Sequence, residues 1–83
     1  MTQLPVNKTT LDPAKRDALR GNNDVALVQI LCNGLLKSGL EIDRDYGPQT
    51  QAAATTYQAI SGVPADGVIG PVSWTAFLNS DGA

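Results

Sequence analysis

The hydrophobic and polar positions divide the chain into four helical stretches joined by polar connections. Residues 1–11 carry no period and include a proline, so they read as an arm. In LDPAKRDALRG, Asp12 can accept from free amides, Pro13 suits the first helical position, and Gly21 can end the segment. That predicts a helix of about two turns. In NNDVALVQILCNGLLKSG, Val25, Val28, Cys32 and Leu35 recur at the steps of one buried helix face, with Asn23 or Asp24 as the cap. Leu27, Ile30, Leu31 and Leu36 widen the stripe, which makes this the most central helix. Gly34 lies inside it at about 1 kcal/mol against alanine, pointing to a close contact or an early end, with Gly39 as the stop.

The second half contains one phrase twice, DYGPQT from Asp45 and VIGPVS from Val68. Each places an apolar or aromatic residue before Gly-Pro and a hydroxyl residue two positions after the proline. Proline is preset for a first helical turn, and the hydroxyl can bond amides that have no partner there. Helices are therefore predicted from Pro48 to Ser61, burying Ala53, Tyr57 and Ile60, and from Pro71 to about Asn79, with Trp74, Phe77 and Leu78 on one face. Gly62 ends the first of them. LEIDRDYG reads as a short extended connection. The Asp66-Gly67 pair in VPADGVIG predicts a tight turn and a small two-stranded pairing between Val63 and Val68 or Ile69.

An 83-residue chain has room for one core, and a hydrophobic fraction of 42% with 17% charged residues fits a folded domain. Cys32 is the single cysteine and there is no histidine, so neither an internal disulfide nor the usual zinc ligand set is available. No cofactor is expected. Net charge is −2 and the pI about 4.6, a poor match to a polyanion, and no nucleic-acid partner is expected. The six cations, Lys8, Lys15, Arg16, Arg20, Lys37 and Arg44, all lie in the first 44 residues. The opening MTQLPVNKTT lacks the apolar run of a signal peptide, and no segment approaches the roughly 20 apolar residues of a membrane span. The chain is expected to be made in the cytoplasm, without a membrane partner.

Catalytic and metal chemistry find little support. Asp43 and Asp45 alternate as in a calcium loop, but counting from Asp43 puts glycine at position five and Ala54 at twelve, where that loop needs glycine at six and glutamate at twelve. A glycosidase needs two carboxyl groups across a sugar cleft, and the chain has one glutamate, Glu41. Cys32 has no histidine to activate it. The chain is therefore not expected to be an enzyme. Gln29 and Gln58 each follow an apolar core position, and as buried amides they are expected to tie down adjoining loops rather than meet a ligand.

Taken in order, these residues resemble the peptidoglycan-binding domain at the ends of bacterial and phage cell-wall hydrolases. Gly21, Val25, Val28 and Gln29 fill that family's first motif. Tyr46, Gly47, Pro48, Thr50, Ala53, Tyr57 and Gln58 fill the second, and Asp66, Gly67, Gly70, Pro71, Ser73 and Trp74 the last. Val28, Tyr57 and Ser73 replace the family's leucine, phenylalanine and threonine with similar shapes, while Cys32 and Gly34 are less usual. The resemblance implies an all-α fold, a compact three-helix bundle with a short extra N-terminal helix. It divides the chain into an arm and short helix (residues 1–20), the domain (21–79) and a tail (80–83).

The implied function is non-catalytic binding of peptidoglycan, targeting an associated activity to the wall, with a cell-wall hydrolase or phage structural protein as candidate partners. Wall peptidoglycan offers sugar hydroxyls, amides, and peptide stems with carboxylates and often an amine. Asp43, Arg44, Tyr46, Thr50, Gln51 and Asp66 are the expected site, with Arg44 and the helix start on carboxylates and Asp43 or Asp66 facing an amine. The rival reading is a structural or protein-interaction module that keeps the fold without the sugar. A third, an enzyme-regulating prodomain, lacks a cysteine-bearing segment after Leu78.

Overall fold

In the computed structural model, residues 8–79 are described, and they form an all-helical fold. A 3-10 turn at Pro13–Lys15 leads into α1 (Arg16–Leu19), followed by α2 (Asn23–Leu36), α3 (Pro48–Ser61) and α4 (Pro71–Asn79). Helix α3 packs against both α2 and α4. Asp12 caps the first turn by accepting from the Ala14 amide at 3.0 Å.

The predicted α2 is present, with its ends shifted. Its cap is Asn22, whose side chain accepts from the Asp24 amide at 2.7 Å. It ends at Lys37, which takes the left-handed conformation (φ 53°) two residues before Gly39. The following turn is closed by Asn33, whose side chain bonds both the amide and the carbonyl of Leu40. Gly34 neither makes a close contact nor ends the helix: a Cβ there would meet open space.

Helix α3 has the predicted bounds but a rotated buried face. Ala54 and Tyr57 are buried with Thr50 and Gln58, while Ala53 is half-buried and Ile60 is exposed. Leu35 on α2 and Leu78 on α4 are exposed as well. Polar residues can hold the inward face because each finds partners, and among the described residues no buried side-chain nitrogen or oxygen lacks one.

The expected pairing around Asp66-Gly67 does not form. Ile69 instead makes an antiparallel bridge with Leu11, in both directions at 3.0 and 2.9 Å. The Val63 amide caps α3 on the Gln58 carbonyl. The bridge draws the N-terminal segment onto the bundle: Leu11 is fully buried, and the Thr9 carbonyl accepts the Trp74 indole N–H at 2.8 Å. Asp24 holds the same segment by accepting from the Thr9 amide at 2.8 Å. Leu11 and Leu19 thus share one core with Val25, Val28, Tyr46, Ile69 and Trp74. Across α3 and α4, the Tyr57 and Phe77 rings pack at a 46° tilt with centroids 4.3 Å apart.

One helix-loop-helix unit occurs twice. From α2, the Gln29 side-chain amide donates to Asp43, to the Asp45 carbonyl and to Thr50, and its oxygen accepts from the Arg44 amide. From α3, the Gln58 amide donates to Asp66, to the Val68 carbonyl and to Ser73, and its oxygen accepts from the Gly67 amide. In both loops the aspartate also accepts from the amide two residues on. Arg44 and Gly67, at matching places, both have positive φ, 59° and 77°.

Candidate functional site

The start of α3 opens onto a shallow groove of about 390 Å³ lined by Arg16, Asp43, Asp45 and Gly47 to Thr50. Its floor is the first turn of the helix, where Gly47 caps with extended backbone and Pro48 gives up no hydrogen bond. One wall is the Asp43–Asp45 loop, fixed from below by Gln29. The other is Arg16, whose guanidinium donates to both oxygens of Asp45, each at 2.8 Å. This fork-to-fork geometry fixes both side chains in orientation. The guanidinium also lies over Gly47, where an added Cβ would come within 2.9 Å of Arg16 Nη2.

The groove carboxylates are held ionised. Hydrogen bonds from Gln29 and from the Asp45 amide hold Asp43 below its usual pKa, and the Arg16 hydrogen bond does the same for Asp45. The Arg16 guanidinium is correspondingly raised by Asp45. Asp43 is exposed, while Asp45 is half-buried behind Arg16.

The candidate residues separate into distinct environments. Asp43 and Thr50 line the groove, although Thr50 is buried and its hydroxyl accepts from Gln29 at 3.1 Å. Gln51 is half-buried and donates to the Tyr46 carbonyl at 2.9 Å. Arg44 lies outside the groove lining, with Nε donating to Asn23 at 3.0 Å. Tyr46 offers no ring to solvent: it is fully buried, its hydroxyl donates to the Gly67 carbonyl, and burial pushes its pKa up. It ties the first loop to the second.

Asp66 belongs to a second groove of about 270 Å³ lined by Pro64, Asp66, Val68 and Gly70 to Ser73. Its carboxylate is held below the usual range by the Val68 amide and Gln58. The two grooves are the counterparts of one another in the repeated unit. Arg16 and Asp45 complete the first, and neither was a candidate from sequence. Their juxtaposition spans 29 residues, and no local pattern reports it.

The buried Cys32 thiol, pushed up to about 11 by desolvation, faces the core and takes no part in either groove. Among the described residues, no group of three or more potential metal ligands comes together, and no helix is long and apolar enough to cross a membrane.

The sequence pattern that builds the core and the repeated loops matches a family model described as a peptidoglycan binding domain, over residues 21–77. The chain belongs to the peptidoglycan-binding domain family. In this peptidoglycan-binding domain, Asp43, Asp45 and the start of α3 lie within the matched span, whereas Arg16 and Leu11, the bridge partner of Ile69, precede it. The chain is also similar to an uncharacterised protein of Kitasatospora aureofaciens encoded in the 3′ region of bpoA1. The two are 33% identical over 73 residues, 88% of this chain and 62% of that protein. The chain thus spans less than two thirds of that relative's length. No solved structure matches significantly.

Proposed function

We propose that this domain holds a linked or partner activity on the bacterial cell wall by taking a peptidoglycan segment into the groove at the start of α3. The observation that carries the reading is the family match over residues 21–77. The groove adds a chemical fit: free backbone amides, a half-exposed guanidinium and an exposed carboxylate suit the mixed amide, hydroxyl and charged groups of wall peptide stems.

A shallow, solvent-open groove makes few fully desolvated contacts, so its affinity alone is modest. Tethering to a catalytic partner turns a modest affinity into a high local concentration on an insoluble polymer. No catalytic role is needed for that effect.

The test is co-sedimentation with protein-free bacterial sacculi, comparing the chain with Gln49→Trp. Gln49 is exposed and lines the groove, so the indole fills the groove while leaving the core intact. The chain should pellet and the variant should remain largely in solution. Equal pelleting of both would move the wall contact away from this groove. Failure of the chain to pellet across wall types would remove wall binding and leave the fold as a protein-interaction module.

A further inference from the structure

We propose that Arg16, contributed by the segment preceding the family-matched residues, sets the charge preference of the groove by neutralising Asp45, so that Asp43 selects an ammonium-bearing group of the wall peptide. The inference rests on the groove at the start of α3 being the wall-binding face.

The argument begins with the charges that line the groove: Arg16, Asp43 and Asp45. Arg16 engages both Asp45 oxygens, so that carboxylate has its charge paired and one lone pair of each oxygen committed to the guanidinium. Asp43 is different. The hydrogen bonds it accepts from Gln29 and from the Asp45 amide both fall on Oδ1, and the side chain stands exposed. The groove therefore presents one net negative charge, located at Asp43. Arg20, which also acts on Asp45, lies 3.4 Å from Asp17, so that neighbouring pair adds little net field.

Arg16 is built into this position. It follows the Pro13–Lys15 turn, and Gly47 leaves the space its guanidinium occupies. Arg16 lies outside the matched span, whereas Asp43 and Asp45 lie within it. An ammonium facing an exposed carboxylate gains modest energy in water, which sets the expected preference at about two- to fivefold.

The experiment measures binding of the full chain to native sacculi and to sacculi whose free amines have been acetylated, and takes the ratio of the two. The chain should favour native sacculi about two- to fivefold. Asp45→Asn and Arg16→Gln break the same ion pair, so a purely structural strut predicts that both shift the ratio the same way. Charge setting predicts opposite shifts. Asp45→Asn frees the guanidinium and brings the ratio to about one or below, whereas Arg16→Gln frees a second carboxylate and raises it. Arg16→Lys retains the charge and should stay near the parent ratio. Helical circular dichroism confirms that each variant is folded. A parent ratio of one, or parallel shifts in Asp45→Asn and Arg16→Gln, overturns the inference while wall binding stands. Failure to bind either form of sacculi overturns the wall-binding reading and this inference with it.

Discussion

Gln58 repeats, on α3, the hydrogen bonds that Gln29 makes from α2: an aspartate, a backbone carbonyl and a hydroxyl on its amide nitrogen, and a loop amide on its oxygen. The twice-written Gly-Pro phrase is the visible half of this repeat. Its other half, the two glutamines, lies upstream in helices whose remaining sequence differs.

Both glutamines are fully buried, and truncating either leaves several polar groups without a partner. Gln29→Ala and Gln58→Ala should each lower stability by about 2–3 kcal/mol, read as a fall in the urea midpoint at unchanged slope. Gln29→Glu should be worse than alanine, since it replaces the donor to Asp43 and Thr50 with an acceptor and adds a negative charge beside Asp43.

Leu11 is fully buried beside Ile69 although it lies ahead of the family-matched residues. Leu11→Ala should cost about 2–5 kcal/mol, the usual range for a core leucine. Trp74 is the single tryptophan and is held by Thr9, so intrinsic fluorescence reports the same event. Its emission should shift to the red at lower denaturant in the variant than in the parent.

Asp43, Asp45 and Asp66 are all held below the ordinary aspartate pKa by the hydrogen bonds they accept. Each therefore adds stability at a pH above that value and loses it as pH falls through the lower folded value. Thermal melting should be nearly flat from pH 7 to about 5 and fall steeply below about 4. Asp45→Asn should make the acid limb shallower, because the Arg16 contact then no longer titrates.

Arg44 stands in left-handed backbone (φ 59°) where the second copy of the loop has Gly67. A non-glycine residue there costs about 1–2 kcal/mol, against about 0.4–1 kcal/mol for the greater freedom glycine gives the unfolded chain. Arg44→Gly should be more stable by about 0.5 kcal/mol in urea unfolding, after those two effects and an exposed bond to Asn23 are set against each other. Because Arg44 lies outside the groove, sacculus binding should be unchanged.

The bounds of α3 and α4 were legible because Gly-Pro and Gly62 mark them chemically. Burial on α3 was not: Thr50 and Gln58 hold its inward face, so a reading that equates inward with apolar rotates the helix toward Ala53 and Ile60. Asp66-Gly67 signals a local turn, but the neighbouring Ile69 finds its backbone partner in Leu11, far away along the chain. Asp43 could be read as a groove residue from the loop preceding the helix start. Tyr46 could not be distinguished in sequence as platform or plug, and its burial decides the matter. Arg16 was invisible as a site residue because its partner, Asp45, is distant in sequence, and nothing in the PAKRDALR run marks one basic residue over another.

Helix α3 belongs to both copies of the repeated unit: its beginning is fixed by Gln29, and its own Gln58 fixes the beginning of α4. Position is thus passed down the chain like a dimension transferred from one part to the next, with α2 as the reference surface. The groove inherits its shape from the back of that reference. On the proposed reading of the groove, substitutions beneath Gln29, on residues no ligand can touch, should therefore alter wall binding by tilting the start of α3, without any change to the exposed surface.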